Sequence, residues 1–207
     1  MAKEALVVPR DVLFRDKSFQ GFLHASEFDY LPVILNNICY HQRGDELERN
    51  ANLQQIIPYV WIVDIMTKKV FAYKRANSPN YAEVRLRNKW SCGIGGHIER
   101  EDSIDPIHTA MMRELKEEVR IKEYGVPRII GYLKDESDSV GLVHFGVVAL
   151  LDTPHEVSKG DDEMDSENFG MFSIDEFERM IANPDNELEG WSRLSWPFVK
   201  NYLVSQK

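Results

Sequence analysis

Apolar and polar positions mix irregularly over the first fifty residues and then fall into regular segments. Leu6-Val7-Val8 predicts a short strand, Phe28 to Tyr40 is largely apolar, and residues 41–52 (HQRGDELERNAN) read as a polar boundary or a solvated helix. Ile56 to Ile65, dense in β-branched and aromatic residues, predicts a buried strand, with Val70 to Lys74 as its hairpin partner across the turn-like Met66-Thr67-Lys68-Lys69. Asn77-Ser78-Pro79-Asn80 is a loop, and Arg85, Arg87 and Lys89 alternate on an expected strand whose one face they share. A glycine-rich segment follows, Ser91-Cys92-Gly93-Ile94-Gly95-Gly96-His97-Ile98-Glu99.

Asp105 as N-cap and Pro106 at the first helical position mark the start of a helix. Ile107, Ala110, Met111, Leu115 and Val119 form its apolar side, leaving Arg113, Glu114, Glu117 and Glu118 nearer the other. Strands are expected at Arg128 to Leu133 and at Val143 to Leu151, then an acidic loop from Asp161 to Glu167. Ser173 and Glu176 form a capping box for a helix that ends before Asn183-Pro184, and Trp191 to Leu203 predicts a final helix. Strands around one charged helix, with more helices later, give an α+β fold or a mixed α/β sandwich.

Composition narrows the functional classes. The 207 residues are 43% apolar and 29% charged, enough for a real core in one domain with extensions. A net charge of -9 argues against a nucleic-acid polymer or an anionic membrane as partner. Two cysteines, Cys39 and Cys92, are too few for a disulfide scaffold or a Cys-rich metal site. Met1-Ala2-Lys3-Glu4 is charged, with only a short apolar run after it, and no apolar stretch approaches the roughly 18 residues of a membrane span, so a cytoplasmic protein is expected.

The chemistry concentrates in Arg113-Glu114-Leu115-Lys116-Glu117-Glu118. On a helix Glu114 neighbours both Glu117 and Glu118, and like charges at that spacing cost a few tenths of a kcal/mol per pair. A hard divalent cation converts that repulsion into coordination by carboxylate oxygens. Arg113 is spaced to hold Glu117 by a carboxylate contact, or to serve only as a surface ion pair worth under about 1 kcal/mol. Arg85 and Arg87 are candidates for substrate phosphates against a plain solvent face, and Lys74 and Arg75 follow at lower weight. Cys92 reads as a small core residue. Tyr59, Trp61, His144 and Phe145 suit either a base-stacking pocket or the core.

Gly95-Gly96, an acidic residue a few positions on, and then R-E-L-x-E-E together resemble the signature of the Nudix hydrolases, G-x5-E-x7-R-E-U-x-E-E-x-G-U with U a bulky apolar residue. Gly96 stands for the first glycine, Asp102 falls at the offset of the first Glu, and Ile121 matches the closing apolar position. The spacing from Asp102 to Arg113 is three residues longer than the pattern, which leaves Asp102, Asp105, Glu101 and Glu99 open as the first acidic residue. Arg120 replaces the second glycine, so the helix is expected to end differently or to run longer, and Ile94 stands where many members have Pro. The likeness covers residues 54–183; with the final helix it sets a domain over residues 54–207 preceded by an N-terminal extension over residues 1–53.

The resemblance implies a Nudix-like α/β/α sandwich with a mixed sheet between helices. It implies Mg²⁺ or Mn²⁺ held by the Gly96 carbonyl, Glu114, Glu117 and Glu118, and hydrolysis of a diphosphate bond in a nucleoside diphosphate derivative. Glu118 is the first choice for the general base, with Glu163 and Glu167 competing; Glu117 and Arg113 complete the catalytic set. His97 is placed to touch substrate or to act as a hydrogen-bonded structural histidine. Two rival readings are a non-hydrolytic nucleotide-sensing module and an isopentenyl-diphosphate-isomerase-like enzyme, whose cysteine and histidine Cys92 and His97 echo. The small-molecule substrate is not specified by the sequence, and a homodimer is compatible with it.

Overall fold

The computed structural model describes residues 3–76, 86–160 and 164–206. It resolves two compact units. The first contains Met1–Tyr59, Gly95–Met112 and Ile129–Ala149, and the second Val60–Ile94, Arg113–Arg128 and Leu150–Lys207.

The first unit opens with β1 (Glu4–Pro9), α1 (Arg10–Leu13), β2 (Gly21–His24), α2 (Leu31–Asn36) and β3 (Cys39–Gln42), and leads into β4 (Leu53–Asp64). Of the polar stretch read as a boundary or solvated helix, only His41 and Gln42 belong to β3, and the rest is irregular apart from one 3₁₀ turn, Leu47–Arg49. β3 forms because β1 offers it an antiparallel partner, Leu6 facing Tyr40 and Val7 facing Cys39. A polar sequence carries no apolar alternation at such an edge, so periodicity alone misses it. β1 also pairs with the start of β4, Val7 opposite Gln55, and Leu6 N–H donates to the Ile98 carbonyl at 2.8 Å. The core gathers aromatic rings from distant positions. Tyr30 lies 5.1 Å from both Tyr132 and Phe145, with Phe14 and Phe19 edge-on to Phe145. Burial pushes the Tyr30 phenol up to about 12, and its hydroxyl donates to the Lys17 carbonyl.

The second unit continues with β5 (Lys69–Arg75), β6 (Trp90–Ser91) and β7 (Gly93–Ile94). The expected hairpin is present, Val63 facing Val70. The strand expected to carry Arg87 and Lys89 is not: residues 86–88 form a turn with Asn88 at φ 63°, and β6 begins only at Trp90. Asn tolerates this left-handed conformation better than most residues, and it breaks the alternation. Arg85 and the loop at 77–80 lie outside the described residues.

Helix α3 (Pro106–Glu118) begins at the predicted position, and Thr109 N–H donates to the Asp105 carbonyl at 2.9 Å. Its predicted apolar side, Ile107, Ala110, Met111, Leu115 and Val119, is buried throughout. Next come β8 (Val119–Arg120), β9 (Arg128–Lys134), β10 (His144–Asp152) and β11 (Ser158–Lys159). The stretch read as an acidic loop is largely β12 (Met164–Ser173), antiparallel to β5, with its register slipping between Met164 and Phe169. The acidic residues sit at that irregularity, which hides a strand beneath loop-like composition. The Ser173–Glu176 capping box starts α4 (Ile174–Ala182) as expected, and α5 (Gly190–Ser205) closes the chain.

Within the first unit β2 lies beside β9, and within the second the order runs β12-β5-β4, with β6 on β5 and β7 on β4. The fold is of the α+β class. Trp61 donates its indole N–H to Ser195 Oγ at 3.0 Å and stacks on Trp196, which Phe177 meets edge-on. Trp61 and Phe145 are therefore core rings.

Candidate functional site

The carboxylates anticipated on α3 fall together. Arg113 Nη1 lies 2.6 Å from Glu114 Oε1 and 3.7 Å from Glu117 Oε2, so one guanidinium serves two carboxylates a turn apart. Glu114 and its partner Arg113 are half-buried, Glu117 is exposed, and Glu118 is only 5% exposed. A carboxylate in so little contact with water needs compensating partners or a cation. Its charge reaches Tyr73, whose phenol is held far above its ordinary value by burial first, with Glu118 and Glu189 adding to the rise and Arg75 opposing it. Tyr73 thus stays protonated and donates to the Gly93 carbonyl at 3.0 Å.

The end of α3 explains the missing glycine. Arg120 turns its guanidinium back onto the helix, Nη1 donating to the Lys116 carbonyl at 2.7 Å and to that of Glu117 at 3.3 Å. A cation on the last carbonyls does what a glycine C-cap does by conformation. Gly160 completes the closure: its N–H donates to the Glu118 carbonyl at 2.8 Å, and a Cβ there would meet the Glu117 oxygen at 2.6 Å. Gly160 escapes sequence reading because its partner, Glu118, lies more than forty residues away. The helix does not run longer; it ends at Glu118 and passes into β8, paired with β11.

A second cluster in the same unit fixes the start of the glycine-rich segment. Buried Glu189 accepts from Ser91 Oγ at 2.7 Å and Ser192 Oγ at 3.1 Å, and Arg75 Nε lies 3.3 Å from it. Arg75, weighed as a phosphate contact, is engaged by this buried carboxylate. Cys92 is buried as expected; its N–H donates to Ser192 Oγ at 2.9 Å, and burial pushes its thiol well up. Lys89 pairs with Glu187.

In the first unit Gly95 has a steric cause. A Cβ on Gly95 would sit 1.8 Å from the Pro58 carbonyl oxygen, so the backbone there approaches β4 more closely than any side chain permits. His97, after Gly96, holds Gln55 Oε1 at 2.8 Å through Nε2. Asp102 is buried and accepts from the Glu99 N–H at 2.8 Å, forming a capping box on the turn Arg100–Asp102, while Glu99 pairs with Lys3 at 2.9 Å. Asp105 holds His108. Arg87 is half-buried beside its turn; Glu167 is exposed on β12 and its N–H donates to Asp165 Oδ1. Glu163 lies outside the described residues.

No family model matches the chain. The fold is that of the Nudix hydrolases: Tm1382, a candidate Nudix hydrolase, superposes with a TM-score of 0.75 at 26% identity over 96% of this chain and 99% of its own. A bifunctional NMN adenylyltransferase/ADP ribose pyrophosphatase from Francisella tularensis, solved with AMP and Mn, shares the fold at TM-score 0.50 and 15% identity, over 72% of this chain and 42% of its own. Protein YmaB of Bacillus subtilis is 35% identical over 163 residues, 73% of this chain and 76% of that protein, and the chain belongs to its family. Among the described residues no helix is long and apolar enough to cross a membrane.

Proposed function

We propose that this chain is a divalent-metal-dependent hydrolase that cleaves a diphosphate bond in a small-molecule nucleoside diphosphate derivative. The observation that carries the reading is the Arg113–Glu118 face, where Arg113 draws the Glu114 and Glu117 carboxylates to one side beside buried Glu118. The donor set suits Mg²⁺ or Mn²⁺, since both prefer carboxylate oxygens and each carboxylate offers about four lone-pair directions, more than one arginine contact uses. Glu114, Glu117 and Glu118 would hold the ion, which when bound would neutralise diphosphate charge and make a coordinated water acidic.

The protein's own groups supply the rest. Arg113 positions Glu114 and Glu117 and limits the directions in which their oxygens point. Glu118, shielded from bulk solvent, accepts a proton from the attacking water as the new O–P bond forms, and the bridging P–O bond breaks to release the second phosphoryl product. Glu163 and Glu167 are the competing bases. His97, Arg85 and Arg87 contact the substrate in this reading, and Asp102, already holding a turn, is the candidate for the first acidic position. The buried, backbone-tied Cys92 with its raised thiol does not favour the isomerase alternative.

Incubating the purified chain with sugar nucleotides, ADP-ribose, dinucleoside polyphosphates and non-nucleotide diphosphates, each with Mg²⁺ and with Mn²⁺, tests the proposal. Phosphorylated products that appear only with a divalent ion support it. No turnover on any member, together with no Mn²⁺ bound by calorimetry, refutes it.

A further inference from the structure

We propose that Glu48, His97 and His144 form a second cation site, distinct in its donors from the α3 glutamates and suited to a borderline transition metal, Zn²⁺ foremost. One ligand atom from each residue lies within 4.8 Å of the other two. That is no more than about 1.5 Å wider than the roughly 3.3 Å between donors that tetrahedral Zn²⁺ sets with bonds of about 2.0–2.1 Å. The three come from distant positions brought together in the first unit: the turn after β3, the residue following Gly95-Gly96, and the first residue of β10.

The hydrogen bonds around the cluster orient both imidazoles. His144 Nδ1 lies 2.8 Å from the Val140 carbonyl, which can only accept, so Nδ1 carries a proton and in the neutral ring Nε2 carries the lone pair. Gln55, fully buried, donates from Nε2 to Glu48 Oε1 at 3.1 Å. An ionised carboxylate has no proton to give, so the amide cannot be turned round, and Gln55 Oε1 must face His97 Nε2 at 2.8 Å. His97 therefore carries a proton on Nε2, and in the neutral ring the lone pair is on Nδ1. The two rings stand edge to face, 5.6 Å apart at 65°. Fixing a ligating histidine by the bond its other nitrogen donates, to a carbonyl or carboxylate, is the usual outer support of a metal site. Here both histidines have it, and the same glutamine steadies the carboxylate.

The donor chemistry separates this cluster from α3. Two imidazoles and one carboxylate form a recurrent Zn²⁺ set that leaves a fourth position open, whereas Mg²⁺ favours oxygen donors throughout. Because His97 directly follows Gly96, an ion here fixes the glycine segment to β10 and to the 3₁₀ turn. The site shares only His97 with the hydrolase reading, and Glu48 and His144 play no part in that reading.

Titrating the metal-stripped full chain with Co²⁺, read by visible d–d absorption, tests it. One equivalent should develop the band and Zn²⁺ should displace it. His144→Ala and Glu48→Gln should each weaken binding by about 10-fold or more, while Glu114→Gln with Glu117→Gln leaves the band intact. Glu48→Gln, in a half-buried residue of the 3₁₀ turn, keeps the test decisive if His144→Ala fails to fold. No band in the wild-type chain, a band unchanged in Glu48→Gln, or a band lost in the α3 variant overturns the proposal.

Discussion

The carboxylate face of α3 and the cluster around His97 both gather metal-binding donors, by opposite routes. Arg113, Glu114, Glu117 and Glu118 lie within six residues, and helical geometry alone places them side by side. Glu48, His97 and His144 span nearly a hundred residues and meet only because the 3₁₀ turn after β3, the residue following Gly95-Gly96 and the start of β10 come together in the first unit. The donors differ accordingly: oxygen only on the helix, nitrogen and oxygen in the other cluster, so each prefers a different class of ion. Their supports differ too. A neighbouring arginine steadies the helix face, while buried Gln55, paired in the sheet opposite Val7, steadies the His97 imidazole.

This contrast can be attacked at each support. Gln55→Leu removes both the donor to Glu48 and the acceptor for His97, and should weaken Co²⁺ binding by up to about 100-fold, read in the same optical titration. Unchanged binding would mean that Gln55 does not orient the His97 imidazole for the ion. Next in size is Gly160→Ala, whose new Cβ would press on the Glu117 oxygen and the Glu118 carbonyl carbon, both at 2.6 Å. It should cost about 2 kcal/mol in urea unfolding, and a neutral result would show that α3 ends without that contact. Arg113→Ala should weaken Mn²⁺ binding by about 10-fold, measured by calorimetry; an unchanged affinity would make the arginine a surface ion pair only.

The smallest effect concerns pH. The Glu176 carboxyl is held below its ordinary value by its hydrogen bonds to Ser173, side chain first and backbone second. A carboxyl with a depressed folded-state pKa adds stability above its unfolded pKa and loses it as pH falls through the folded value. The stability gap between the wild-type chain and Glu176→Gln should therefore be constant near neutrality and shrink below about pH 4.5. A gap that persists into acid would assign the effect to the amide itself.

The same contrast explains what the sequence disclosed. The α3 start, its apolar side, the Arg113 contact and the Ser173–Glu176 box are local, so spacing within a few residues suffices to read them. The β4–β5 hairpin was legible for the same reason. β3 and the first part of β12 were not, since polar edge strands take their structure from partners β1 and β5 rather than from their own alternation. Arg120 was noticed only as a departure from a pattern, and its substitute for glycine, a guanidinium folded onto the helix carbonyls with Gly160 packed behind, requires a contact no local rule contains. His97 was singled out for its position after the glycines, but Glu48 and Gln55 carried no signal of their own.

The α3 glutamates are proposed to support metal-dependent diphosphate hydrolysis. The most direct test of that role is the initial hydrolysis rate against Mg²⁺ concentration for the wild-type chain and for Glu117→Gln with Glu118→Gln, on whichever diphosphate turns over. The wild-type rate should saturate with Mg²⁺ and vanish on chelation, and the folded double variant should be at least about 100-fold slower. A double variant within a few-fold of wild type, or a rate indifferent to chelation, would contradict the account.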